Sequence, residues 1–232
     1  MHEHHHRDVQ GGAARAAVFG ASDGLVSNVS LILGVAGAGP APGIVRLAGL
    51  AGLIAGAFSM ASGEYVSMKA QTELLQRELA LEEGEIHRHP DAERRELAAI
   101  YRQRGIAADM ADQLATEMHR DPQTALETHA REELGIDPAQ LGSPPAAALS
   151  SFIAFGIGAL VPLLPWFFDS GNGAVVASVL LGTVSALLIG LALARFTGRS
   201  MVRSALRQLG IAALAAGVTY AVGRAVGVQS AT

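Results

Sequence analysis

Two acids interrupt otherwise apolar stretches of this chain: Asp23 in GASDGLVSN and Glu64 in SMASGEYVSM. Met60 stands four residues before Glu64, so a helix places the thioether and the carboxylate on one face. A carboxylate is a hard, charged ligand for which protons compete. A thioether is soft and helps to select transition metals over Ca²⁺ or Mg²⁺. An acid at the centre of a membrane helix costs about 2.5–3.5 kcal/mol, so such acids usually face a cavity and mark an ion path. The plainer alternative is that both acids lie near span ends and reach the interface, with methionine as ordinary filling. Ser27, Asn28, Ser30 and Tyr65 are candidate polar lining.

A second group of acids lies in the polar middle of the chain. Glu82 and Glu85 are three residues apart, as are Glu93 and Glu96, so each pair shares a helix face. The break at His89-Pro90 lets the two helices fold back and gather four carboxylates. His129 and Glu133, four apart, can add ligands from a later helix. Clustered carboxylates with few cations repel unless a divalent ion sits among them; the other reading is a solvated acidic face. Glu73, Glu78 and Glu83 look like such solvated charges.

The elements that must position these residues follow from hydropathy. Half of the 232 residues are hydrophobic and only 16% are charged, and the charges are concentrated in one segment. Apolar runs cover Ala16–Gly39, Ile44–Val66, Ala146–Phe168, Ala174–Ala194 and Met201–Val228. Each is long enough to cross a hydrocarbon core of about 30 Å as a helix, which disfavours a soluble bundle. Their Gly and Ala content suits close packing of membrane helices. The expected divisions are an N-terminal tail (1–15), spans 1 and 2 (16–67), a helical insertion (68–143) and spans 3 to 5 (144–232).

Within the insertion, KAQTELLQRELALEEGE reads as a helix continuing the second span. Pro90 starts the next helix, which has Leu97, Ile100 and Tyr101 on one face and stops at Gly105. Met110, Leu114 and Met118 mark the apolar face of another, and a short helix spans 123–134 before Gly135.

Cysteine is absent, which excludes a disulfide framework, a thiolate zinc site and a cysteine nucleophile. The N-terminal MHEHHHRDVQGG has no apolar core, so no cleavable signal peptide is expected there, and its histidines are left out of the site. Basic residues flank the first span, fill the insertion and occupy RFTGRSMVRSALR, whereas FFDSGNG has none. The positive-inside rule puts the N-terminus, the insertion and that fourth loop in the cytoplasm and the C-terminus outside. This topology and the arginine-rich, lysine-poor composition point to a bacterial inner membrane.

The stretches SDGLVSNVSLILGVAGAG, AGLIAGAFSMASGEYVSMKAQTEL, HAREELGIDPAQL, SPPAAALSSFIAFGIGALVPLLP and VTYAVGRAVG resemble, in order, the vacuolar iron transporter (nodulin-21-like) family. The resemblance implies a homodimeric exporter with five spans that moves Fe²⁺, often also Mn²⁺, out of the cytosol in exchange for protons. It further implies an ion path along the dimer interface and a cytoplasmic metal-binding domain after the second span. Asp23 and Met60 match family positions on the path. Glu82, Glu85, Glu93 and Glu96 match the glutamates of the metal-binding domain, and Glu133 matches a further acid there. Three departures stand out. Gly52 replaces a glutamate found in eukaryotic members, Gly63-Glu64-Tyr65 replaces Gly-Gly-Tyr, and His129 replaces a methionine ligand. Imidazole also suits Fe²⁺, Mn²⁺ and Zn²⁺.

The expectation is therefore an all-α, multi-pass membrane protein with five transmembrane helices and a cytoplasmic metal-binding insertion between spans 2 and 3. Its transport path would use Asp23, Met60 and Glu64, and its cytoplasmic site Glu82, Glu85, Glu93, Glu96, His129 and Glu133. Its partners would be divalent ions, protons, lipid and a second copy, with no prosthetic group and no nucleic acid. Two other functions compete: a metal sensor or scaffold without transport, and a carboxylate di-metal oxidase. The oxidase needs Glu-x-x-His pairs on facing helices. The sequence offers that spacing only at Glu3 and His6, in the N-terminal tract.

Overall fold

The structure is a computed structural model that describes residues 12–230. The N-terminal histidines, and the tail as far as Gly11, lie outside the described residues. Among the described residues the chain is helical, with no strand. The helices are α1 (Gly12–Gly37), α2 (Pro42–Arg88), α3 (Pro90–Gln103), α4 (Ala108–Met118), α5 (Pro122–Glu132), α6 (Pro144–Leu163), α7 (Asn172–Thr197) and α8 (Met201–Ser230). Proline opens α2, α3, α5 and α6, where its missing N–H costs nothing. Gly198, with φ 66°, ends α7 in a left-handed conformation that a side chain would oppose. Among the described residues, five helices are long and apolar enough to cross a membrane: α1, α2, α6 with its following turn to Phe167, α7 and α8.

The chain divides into two compact units. One comprises Ser67–Gly142, and the other holds the spans, up to Val66 and from Ser143 onward. α2 contributes residues to both.

In the span unit the buried positions recur every four residues. On α1 they are Gly12, Ala16, Gly20, Gly24 and Asn28; on α7, Ala174, Ser178, Gly182, Ala186, Gly190 and Ala194. α6 repeats the pattern with Ala147, Ser151, Phe155, Ala159 and Leu163, the last three apolar and bulkier on average. Such rows are ridges that seat in the grooves of a neighbouring helix, and small residues let the backbones approach. α1 packs on α6, α8 and α7. Polar groups inside the unit bond across helices. Gln208 donates to Ser22 Oγ at 2.7 Å and Thr219 to the Ser30 carbonyl at 2.8 Å. Trp166 donates to Ser178 Oγ, which donates in turn to the Pro162 carbonyl at 2.7 Å. Large apolar side chains such as Leu47, Phe58, Leu188 and Leu214 point outward, as a lipid-facing surface requires.

The α1–α6 contact is closest at two glycines. A Cβ on Gly24 would strike the Phe155 carbonyl, and one on Gly158 the Ala21 carbonyl. Gly156, two residues away, has open space where its Cβ would be. Gly158→Ala is thus expected to destabilise the protein by about 1–3 kcal/mol through overpacking. Gly156→Ala should be neutral or slightly stabilising. Thermal denaturation in detergent checks this, and equal melting temperatures for the two variants would refute it.

The second unit is built on a small apolar seam. Leu97, Ala98 and Tyr101 of α3 pack on Ala111 and Ala115 of α4, with Leu114 and Met118 at the margin. Met110, expected on the buried face, is 61% exposed. The α3–α4 seam is lined by alanines, so the buried stripe of α4 is shifted one position from the methionine pattern. α5 is capped by Asp121, whose Oδ2 accepts from the Thr124 N–H and hydroxyl, both at 2.8 Å. Those bonds hold the Asp121 carboxyl below its usual range.

Candidate functional site

Two sites emerge, one in each unit. In the insertion, the final turns of α2 carry Glu82, the first turn of α3 carries Glu93, and the end of α5 carries His129 and, just beyond it, Glu133. One ligand atom from each of these four lies within 4.8 Å of all the others. His129 is fully buried. Its Nδ1 stands 2.9 Å from Glu82 Oε1, 3.3 Å from Glu133 Oε2 and 3.9 Å from Glu93 Oε2. The contact with Glu82 is close but off hydrogen-bond alignment, so that buried oxygen has no hydrogen-bond partner among the described residues. His119 packs edge-on against His129, ring centroids 5.2 Å apart. Burial pushes the His119 pKa down, which favours an uncharged ring next to His129.

Burial and the neighbouring Glu133 carboxylate raise Glu82 from 4.5 to about 7, against a smaller opposing pull from His129. Glu93 is raised as well, by burial first and then by Glu96. Three carboxylates and one imidazole packed so tightly offer an O,O,O,N donor set of the kind that suits a divalent ion. Glu85 and Glu96 stand outside this group of four. Glu85 is paired with Arg88 at 2.8 Å, and Glu96 is exposed. Both remain near enough to raise the Glu93 pKa.

The second site is a cavity of ≈ 270 Å³ in the span unit. It is lined by Asp23, Ser27, Asn28 and Leu31 of α1, Gly52, Gly56, Ser59 and Met60 of α2, and Phe155 of α6. Asp23 lies about 16 Å along α1 from its first residue, close to the middle of that helix rather than its end. Gly52, Gly56 and Met60 share one face of α2, and the two glycines leave the groove that the cavity occupies. Phe155 closes one wall; a Cβ on Gly56 would collide with its ring. Met60 packs beside Phe155. Glu64 does not line the cavity. Its carboxylate accepts from Arg15 Nη2 at 3.0 Å, and that pair neutralises it on one side. Met68, the other sulfur of the motif, is buried in the other unit and covers Gly142.

A cavity with a carboxylate and a thioether inside an apolar span, and a separate acidic cluster in a helical insertion, suit a chain that handles a metal ion in a membrane. The profile of the VIT family matches residues 14–224. The chain belongs to the VIT family. It is 35% identical over 230 residues to vacuolar iron transporter 1 of Oryza sativa subsp. japonica, covering 97% of this chain and 91% of that one. Identity is also 35% to vacuolar iron transporter 1 of Eucalyptus grandis, over 93% of this chain and 87% of the relative. The vacuolar iron transporter of Acanthamoeba castellanii is 35% identical over 91% of this chain and 78% of its own length.

For this VIT-family chain, two features of the sites escape a reading by residue type. Arg15 as the partner of Glu64 is one, because the two are 49 positions apart. The other is the state of Asn28, nominated only as polar lining: it is 2% exposed, and its Oδ1 has no hydrogen-bond partner among the described residues. The Gly52–Gly56–Met60 spacing is the legible signal for the groove, since small residues four apart leave a furrow on a helix.

Proposed function

We propose that the protein is a membrane transporter of divalent transition metal, moving Fe²⁺ and also Mn²⁺ out of the cytosol in exchange for protons. The observation that carries this reading is the cavity that gathers Asp23 and Met60 at mid-span. A carboxylate there binds either a metal ion or a proton, and this competition is the simplest means of coupling the two. The names of the relatives, vacuolar iron transporters, support iron as the cargo. The cluster of Glu82, Glu93, His129 and Glu133 serves as the cytoplasmic collecting site, and Glu85 and Glu96 add negative potential that draws cations toward it. Basic residues on the same connections support a cytoplasmic N-terminus and insertion.

A homodimer completes the proposal. Asp23 is exposed on the single chain, and a carboxylate turned to lipid at mid-span costs about 2.5–3.5 kcal/mol. A second copy covering the open side of the cavity removes that cost. Glu64 takes a place on the path only if its ion pair with Arg15 opens.

Reconstitution into liposomes with a pH-sensitive dye in the lumen tests the proposal. The expected outcome is Fe²⁺ or Mn²⁺ uptake driven by an opposing proton gradient, with proton movement when metal is added. Metal flux that neither responds to a pH gradient nor creates one would remove the coupling. Metal binding without flux would leave a sensor or scaffold, a reading that the insertion cluster alone would satisfy.

A further inference from the structure

Asn28, one of the candidate lining residues, is a fully buried amide on an apolar helix, satisfied on one side only. Its Nδ2 donates to the Ala159 carbonyl at 2.6 Å, which fixes the direction of the amide. Only the nitrogen can donate, so Oδ1 must point the other way. There it is buried and accepts no hydrogen bond from the described residues. It points at bare backbone: a Cβ on Gly52 would lie 3.0 Å from it and would also clash with Leu31. Asn28 and Gly52 both line the cavity that holds Asp23 and Met60. Ser27, the nearest hydroxyl along α1, is already engaged with the Asp23 carbonyl at 2.6 Å.

A buried carbonyl oxygen held in place by its own amide nitrogen, on a residue that lines a cavity, is a preorganised acceptor for a cation. We infer that Asn28 Oδ1 is a third ligand for the transported ion, completing with Asp23 and Met60 a site for a partly dehydrated first-row divalent metal. The inference rests on the transport reading above. Asn28 supplies a neutral oxygen, so a divalent ion facing Asp23 keeps a net positive charge and is not trapped. Gly52 puts no side chain against that oxygen.

Charge at this position separates a ligand from a structural strut. Asn28→Leu removes both the oxygen and the bond to Ala159. Asn28→Asp loses the donor to Ala159 but keeps an oxygen toward the cavity and adds a charge. In liposomes containing the full chain, Asn28→Leu is expected to raise the KM for Mn²⁺ about tenfold or more, the loss of one well-placed ligand. Asn28→Asp is expected to lower KM and the maximal rate together, because the ion is held more tightly and released more slowly. An unchanged KM in Asn28→Leu overturns the inference. So does an equal loss in both variants, which would make the amide a strut to Ala159. Equilibrium binding of Co²⁺, followed by visible absorption, gives a readout independent of flux. It uses full-length protein whose insertion cluster is silenced by Glu82→Gln and Glu93→Gln. Weaker Co²⁺ binding on adding Asn28→Leu supports the ligand even if the wild type carries no flux, a result that would overturn transport alone. Binding unchanged by Asn28→Leu overturns the ligand even where flux is intact.

Discussion

Asp23→Asn is expected to lower metal flux by about thirtyfold or more and to leave the fold intact. The side chain keeps its shape and one acceptor oxygen, and it loses the charge and the second acceptor, which becomes an NH₂ donor. Of the residues lining the cavity, only Asp23 is anionic, and its carboxylate takes part in no ion pair among the described residues. No neighbouring cation depends on it, so its removal strands no protein charge. The divalent ion entering the cavity, however, would face only neutral donors. Truncating one partner of a desolvated charge pair costs about 2–5 kcal/mol, and each 1.4 kcal/mol is about a factor of ten. Melting temperature should stay near wild type, or rise, because an acid inside a span opposes insertion. Flux and melting measured on the same preparation check both halves. A variant that transports at the wild-type rate would place the path elsewhere, with Glu64 as the next acid to examine.

The second large effect concerns pH and the insertion cluster. Glu82 is raised to about 7 by burial and by Glu133, so near pH 6 it is mostly protonated and must release its proton for a metal to bind. Affinity should fall by about tenfold per pH unit below 7 for this one proton, and level off above it. Titration of the full-length protein with Mn²⁺ between pH 5.5 and 8, in buffers of different ionisation enthalpy, reads both the affinity and the proton released. Glu82→Gln should weaken binding by about tenfold or more and flatten its dependence on pH. Affinity that does not change with pH would exclude Glu82 from the site.

The same shift acts on the metal-free fold with a definite sign. A carboxyl whose pKa is raised on folding favours the folded state when protonated. That contribution is complete below the ordinary value of 4.5 and is lost as pH rises through about 7. Metal-free protein should therefore melt at lower temperature at pH 8 than at pH 6 through this group, and bound metal should reverse the trend. Glu93, raised in the same direction, adds to the effect.

Much of the architecture was readable from the residues. Five apolar runs of about 20 residues leave few alternatives to five helices, because an unsatisfied backbone cannot sit in hydrocarbon. Pro90 announced a helix start, and the His89-Pro90 break marked the turn between α2 and α3. The spacing nominated Glu82, Glu85, Glu93, Glu96, His129 and Glu133 on three helices. Nothing in that spacing distinguished Glu82 from Glu85, or Glu93 from Glu96, because residues three apart share a face and differ only by the rotation of the helix. That rotation is set by packing. Where Leu97 and Tyr101 seat against Ala111 and Ala115, Glu93 turns inward and Glu96 outward.

The motif SMASGEYVSM shows the same division between local and global information. Its sequence determined that a carboxylate and two thioethers occupy successive turns of one helix. Only the tertiary structure assigned them to different surroundings: Met60 to a cavity with Asp23, Glu64 to Arg15, and Met68 to Gly142. Each of those partners lies at least 37 positions away in the chain, since the nearest is Asp23 to Met60. Helical periodicity gives the direction of a side chain about its own axis. What stands opposite it, and whether a polar atom such as Asn28 Oδ1 is left open, depends on how closely small residues let neighbouring helices approach.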